Sequence, residues 1–170
     1  MGGAGGGAAV SARAAILVGV ALGAAGCALF RAPDRTPEIQ PALADLKQGG
    51  FVFAADVVFR NDPRAVCDGL ACADLVVENQ RRTIVVADGA FVSPSKLRAS
   101  LLEIWVRYQT PRHGNVRDLA RAALVVVQDG RRAGVTDPGV LADARFVYAQ
   151  LWRQLPPERR SDLPDPRQLP

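Results

Sequence analysis

The feature that most constrains the fold of this chain is a change in its hydrophobic period near Ser93. Before Ser93, apolar residues alternate or form short β-branched runs, as they do in strands. After it they recur every three or four positions, as on one face of a helix. Strands followed by helices favour an α+β fold. We therefore predict a small antiparallel sheet of about three strands, followed by three helices packed on one face.

The segments expected to form the sheet differ in character. Every odd position from 51 to 59 is apolar, and Asp56 is the one charged interruption on the even positions. The other two segments are rich in β-branched side chains, and residues 79–82 between them suit a hairpin loop. A short helix, closed by Gly49 and Gly50, should precede the sheet. The expected strands are residues 51–59, 75–78 and 83–87, and the expected short helix is residues 41–48.

The three later helices each begin with a capping signal. Ser93, Asn115 and Asp137 are good N-cap residues. Pro94 and Pro138 then occupy the first helical position, where proline is favoured. The expected helices cover residues 94–109, 116–129 and 138–155. The Pro-rich residues 157–170 are expected to form an irregular tail.

The N-terminal segment has the organisation of a secretory signal. Arg13 precedes an apolar run over residues 14–25, and small residues then lead into Cys27. The run is short for a membrane span. The alternative interpretation is an uncleaved signal anchor in which Cys27 has no role.

The small residues directly before Cys27 resemble the lipobox of bacterial lipoproteins. The resemblance covers residues 1–27 only. Ala24, three places before the cysteine, replaces the Leu or Val that is usual there. The resemblance implies cleavage before Cys27, acylation of Cys27 with palmitate, and an extracytoplasmic position on the cell envelope. Ala28 is not the aspartate that retains such proteins in the inner membrane, which favours the outer membrane if the host has one. The expected organisation is a signal peptide (1–26), a lipidated tether (27–36), one α+β domain (37–156) and the tail (157–170).

Two further cysteines, Cys67 and Cys72, are separated by four residues. In an oxidising compartment such a pair indicates a structural disulfide. Zinc is the alternative, but a tetrahedral site needs three or four protein ligands. The only histidine, His113, is predicted to lie in a loop without a partner. We expect no metal and no cofactor.

One short pattern resembles a catalytic motif. Ser93-Pro94-Ser95-Lys96 matches the S-x-x-K pattern of penicillin-binding proteins and β-lactamases, in which lysine activates a serine nucleophile. The other motifs of those enzymes are missing, and helix capping already accounts for Ser93.

Asp56 is expected to be a buried carboxylate paired with an arginine rather than a catalytic acid.

Residues 83–109 resemble the strand, connection and helix that precede the zinc site of zincin metalloproteases. The helix of that family carries H-E-x-x-H. In the same register this chain has Leu102-Glu103-Ile104-Trp105-Val106, which keeps only the glutamate. The resemblance therefore implies at most a metal-free relative. Otherwise Glu103 is expected to be an ordinary solvated helix residue.

The remaining features favour binding over catalysis. The net charge is only +4, and no groove-reading or base-stacking motif points to nucleic acid. No nucleophile–base pair or phosphate-binding glycine loop is visible. We expect a non-enzymatic accessory or binding role, with membrane lipid, through Cys27, and another envelope protein as partners. The alternative is an extracytoplasmic hydrolase that uses Ser93 and Lys96, or a carboxylate at Asp56 or Glu103. The arginine pairs 81–82, 131–132 and 159–160 are expected to solvate loops, and the alternative is contact with phosphate or lipid headgroups.

Overall fold

The structure, a computed structural model, describes residues 33–60, 67, 72–78, 80–109 and 115–169. The predictions made for the signal peptide, Cys27 and His113 lie outside these residues. Asp34–Pro170 belong to one structural unit. Its helices and strands, in chain order, are α1 (Thr36–Gln48), β1 (Asp56–Phe59), β2 (Ala73–Glu78), β3 (Arg81–Val86), α2 (Pro94–Gln109), α3 (Val116–Asp129) and α4 (Pro138–Gln154). A 3-10 turn, Asp88–Val92, joins β3 to α2.

The predicted α+β class is confirmed, with one correction to the sheet. The strand order is β1-β3-β2, so β3 is central. β2 and β3 form the predicted antiparallel hairpin, but β1 runs parallel to β3. The sheet is therefore mixed and not antiparallel.

β3 takes the central position because it is the strand that is apolar on both faces. Ile84, Val85 and Val86 are all buried. β2 carries Asp74, which is exposed and suits an edge strand. The hairpin loop is shorter than predicted, only residues 79–80, and Gln80 adopts a positive φ of 64°.

The first predicted strand is shorter than expected, although its alternation is correct. Phe51, Val57 and Phe59 are buried, whereas Val52 and Asp56 are exposed. Only residues 56–59 pair with β3. The preceding residues instead bond to helices, beginning with Phe51, whose N–H donates to the carbonyl of Leu46 in α1 (2.8 Å). α1 itself starts earlier than predicted and contains Pro41.

The three predicted N-caps are confirmed. Ser93 Oγ accepts the N–H of Lys96 (3.1 Å), and Asn115 Oδ1 accepts the N–H of Asp118 (2.9 Å). Asp137 Oδ1 accepts the N–H of Gly139 (2.8 Å). These bonds satisfy amides that a helix leaves without partners at its first turn. Gly50, with φ of 89°, supplies the left-handed residue expected after α1.

The helices pack on the sheet and on one another around one hydrophobic core. α1 contacts β1, and α2 contacts both β2 and α1. α3 packs on α2, and α4 packs on α3. Within the described ranges, no helix is long and apolar enough to cross a membrane.

The Pro-rich end of the chain is folded onto the helices. It contains two 3-10 turns, Pro157–Arg159 and Pro166–Gln168, but no α-helix or strand over residues 157–169. Leu163 is buried in the core cluster. Asp162 forms ion pairs with Arg117 and Arg121 of α3. Composition alone predicted the lack of regular structure, but not this packing.

Candidate functional site

Helix α1 presents two adjacent stripes to different surroundings. Ile39, Ala42 and Leu46 are buried in the core. The neighbouring stripe lines an open groove together with the extended segment that follows α1. The groove has a volume of about 690 Å³ and is the largest of three cavities described here. Its α1 wall consists of Thr36, Gln40, Leu43 and Lys47.

The opposite wall is the extended segment 51–58, fixed at both ends. Near its start, Trp105 Nε1 of α2 donates to the carbonyl of Val52 (2.8 Å). The Trp105 ring also meets Phe51 edge-to-face at 5.2 Å. At the far end, the N–H of Phe59 donates to Thr36 Oγ1 of α1 (3.1 Å). The groove therefore has a fixed length, set by two helices that hold the segment.

The lining combines apolar side chains with a few polar ones. Leu43, Phe53 and Val57 contribute the apolar part. Lys47 and Asp56 bring opposite charges, and both side chains are exposed. Neither forms an ion pair with another residue that the structure describes. A lining of this kind suits a ligand that carries both apolar and charged groups.

Asp56 does not occupy the environment that the sequence predicted. It was expected to be buried against an arginine, but it is exposed on the groove wall. The reason is that β1 is an edge strand, and its even positions point away from the core. A carboxylate there keeps its hydration and needs no partner.

Glu103 is also a correction, in the opposite direction. It was expected to be solvated, but it is only 3% exposed on α2. Ser100, one turn earlier, is fully buried and accepts a hydrogen bond from the N–H of Cys72 (3.4 Å). α2 lies between α1, α3 and β2, so its inner turns are covered on more than one side. Glu103 does not line the groove.

Ser93 and Lys96 do not form a nucleophile–base pair. The Ser93 hydroxyl accepts the backbone N–H of Lys96, which is the capping bond. Ser93 also lines a second cavity of about 360 Å³, with Phe91 and Leu97. Asp56 and Ser93 are therefore in different cavities, and no cavity described here brings two of the candidate catalytic groups together.

The third cavity, of about 430 Å³, contains the arginine pair 131–132 and Arg98. Arg98 Nε donates to Asp45 Oδ2 at 2.7 Å. Arg132 pairs with Asp129 at 3.1 Å and lies over the Phe51 ring at 5.0 Å. Two of the three guanidinium groups are thus already neutralised. This cavity is not a strong anion site.

Ser95 is a buried polar residue whose role the sequence did not predict. Its hydroxyl is buried and accepts the N–H groups of Thr136 and Asp137, each at 3.1 Å. It therefore ties the start of α4 to the start of α2. The S-x-x-K pattern that contains Ser95 indicates Ser93 as the reactive serine instead. Nothing local in the sequence indicates this long-range bond.

The two cysteines lie within disulfide-bonding distance, with their Cα atoms 4.1 Å apart. Gly89 packs directly against their sulfur atoms. Among the described residues, no group of three His, Cys, Asp or Glu side chains could hold a metal ion.

Arg160 stacks on the Trp152 ring at 4.3 Å and donates to the carbonyl of Leu155, so it packs on α4 instead of solvating a loop.

Comparison with known proteins adds no assignment. No family model, curated protein or solved structure matches this chain.

Proposed function

We propose that this protein is an envelope lipoprotein, anchored to membrane lipid through Cys27, that acts without catalysis by binding another envelope protein. The groove between α1 and residues 51–58 is the proposed binding site. The domain would face the extracytoplasmic side, at the outer membrane if the host has one.

The observation that carries the binding role is the separation of the candidate catalytic groups. Enzymatic sites gather reactive polar groups in one concave pocket. Here Asp56 lines the groove, Ser93 caps α2 beside another cavity, and Glu103 is buried in α2. The groove itself is open, and its two ends are held by hydrogen bonds. Such a surface suits recognition of another molecule.

The anchor rests on the order of residues around Cys27. Each buried methylene contributes about 0.8 kcal/mol to membrane attachment, and two anchoring signals suffice for stable binding. A lipoprotein cysteine with two or three acyl chains would therefore stay attached. Changing Cys27 to Ser should release the protein from the membrane fraction or mislocalise it, and should abolish palmitate labelling. Unchanged fractionation of the variant would contradict the anchor.

The binding role is tested by site-specific photo-crosslinking in the native host. A benzoyl-phenylalanine at Gln40, on the groove wall, should give a discrete crosslinked product. The matched control is the same probe at Asp143, which is exposed on α4 and does not line the groove. The proposal fails if Gln40 gives no product, or if both positions give the same products.

A further inference from the structure

The backbone of β1 presents two sets of hydrogen-bonding groups in opposite directions. The N–H of Arg60 donates to the carbonyl of Val86 (3.3 Å), so the even residues of this segment face β3. The N–H of Phe59 donates to Thr36 on the other side (3.1 Å). Because directions alternate along a strand, the N–H and C=O of Val57 also face away from β3. Val57 is also one of the residues that line the groove.

The outward-facing amides of the two edge strands differ in whether a side chain accepts a hydrogen bond from them. On β1, the amide of Phe59 is covered by Thr36 Oγ1. On β2, the amide of Leu75, in the middle of the opposite edge, is covered by Asp74 Oδ1 (2.8 Å). The Val57 amide has no such cover from any residue in the described ranges. An uncovered edge is a template for another strand, and proteins usually block it.

We infer that the free edge of β1 at Val57 accepts an extended peptide segment of the partner protein as a fourth strand. This inference rests on the proposed function and specifies how the groove binds. An extended strand supplies the N–H and the carbonyl that pair with the C=O and N–H of an edge residue such as Val57. The fixed ends at Val52 and Phe59 limit the contact to a short segment.

The groove selects a single peptide strand over a second copy of this chain. α1 contacts β1 and forms the wall opposite segment 51–58, so a strand added to β1 would lie between the two walls of the groove. A second copy that paired through its own β1 would bring its own α1 into the same space. One extended segment avoids this conflict.

The side chains of the groove predict the pattern of the bound segment. Residues that point to the α1 wall should be apolar opposite Leu43 and acidic near Lys47, whose ammonium group forms no ion pair with another described residue. Residues that point to the other side should tolerate or favour a basic group next to Asp56. The expected ligand is therefore an extended segment of alternating apolar and charged residues.

The test uses a phage-displayed library of random dodecapeptides, selected on the full-length chain purified in detergent. Selected peptides are then synthesised with one backbone nitrogen methylated at a time. Strand addition predicts that methylation weakens binding by about tenfold or more at the peptide nitrogen that donates to the Val57 carbonyl, with little effect at the two neighbouring nitrogens. A flat methylation profile would overturn strand addition. Failure to select any peptide would overturn it too.

Two variants of the protein make the same test from the other side. Val57→Pro removes the outward N–H but no bond to β3, and proline is tolerated at such edge positions. Val57→Ala is the matched control, because it shortens the same buried side chain and keeps the N–H. Binding should be about tenfold weaker in the proline variant than in the alanine variant. If Val57→Pro does not fold, the methylation profile decides.

The outcomes separate this inference from the proposed function. A crosslink from Gln40 together with a flat methylation profile means that the groove binds a partner, but not by strand addition. A full-length chain that is dimeric in solution, and monomeric as Val57→Pro, means that the edge pairs with a second copy, which also overturns the inference.

Discussion

The phenol of Tyr148 donates a hydrogen bond to the carbonyl oxygen of Pro164, with 2.6 Å between the two oxygen atoms. Tyr148 is fully buried in α4, and Pro164 belongs to the Pro-rich end of the chain. The bond joins the irregular C-terminal segment to the core. That segment therefore contributes to the stability of the domain.

Replacing Tyr148 with Phe should lower the free energy of unfolding by about 1 kcal/mol, because the Pro164 carbonyl loses its donor. Tyr108→Phe is the matched control, since the hydroxyl of Tyr108 makes no hydrogen bond to any described residue. Urea unfolding measures both variants. Equal effects of the two substitutions would show that the phenol bond does not hold the segment.

Acid should weaken the same segment through Asp162. The guanidinium groups of Arg117 and Arg121 hold the pKa of Asp162 at about 2, below its usual value of 3.8. The unfolded chain therefore takes up the proton more readily than the folded one. The stabilising effect is complete above about pH 4 and is lost as the pH falls towards 2.

Thermal unfolding between pH 2 and pH 6 tests this dependence. The melting temperature of the wild type should fall more steeply below pH 4 than that of Asp162→Asn, which has no carboxylate to protonate. Asp143→Asn, on the exposed surface of α4, should keep the slope of the wild type. An unchanged slope in Asp162→Asn would remove Asp162 from the acid response.

Ser95 should matter more for stability than Ser93, although Ser93 is the more conspicuous residue in the sequence. Ser95→Ala leaves two part-buried N–H groups, those of Thr136 and Asp137, without their acceptor. We expect a loss of about 2 kcal/mol. Ser93→Ala removes a single capping bond, to the N–H of Lys96, and should cost about 1 kcal/mol. Urea unfolding in which Ser93→Ala is the more damaging change would contradict this ranking.

The proximity of Gly89 to the two cysteines allows a coupled test of the predicted disulfide. A methyl group at Gly89 would overlap Cys67 Sγ and lie 3.1 Å from Cys72 Sγ. Gly89→Ala should therefore destabilise the wild type by about 1–3 kcal/mol, and clearly less when both cysteines are serine. Intact-mass analysis should also show that the protein carries two more alkylated thiols after reduction than without it. Free thiols without reductant would contradict the disulfide.

The parts of the fold that depend on neighbouring residues were predictable, and the parts that depend on distant ones were not. The caps at Ser93, Asn115 and Asp137 involve amides within three residues, so the helix starts followed directly from the sequence. The pairing of β1 with β3 joins Asp56 to Thr83, and nothing local indicates its parallel direction.

Burial of the charged residues was the least predictable feature of the candidate site. Asp56 lies among apolar residues in sequence but at an open edge in space. Glu103 lies on a helix that several elements cover, so it is buried despite its charge. In both cases the decisive neighbours come from elsewhere in the chain. The groove could not be predicted for the same reason, because α1 and β1 meet through bonds such as Thr36 to Phe59.

The parallel pairing of β1 with β3 also orders events in time. Synthesis proceeds from the N-terminus, so residues 56–59 leave the ribosome before the strand that they pair with. β2 and β3 are joined by a two-residue loop, so they can pair as soon as β3 has been synthesised. β1 cannot pair until β3 is present. During that interval both edges of β1 are open to other chains. The nascent protein is therefore most prone to wrong strand pairing just before its own sheet closes.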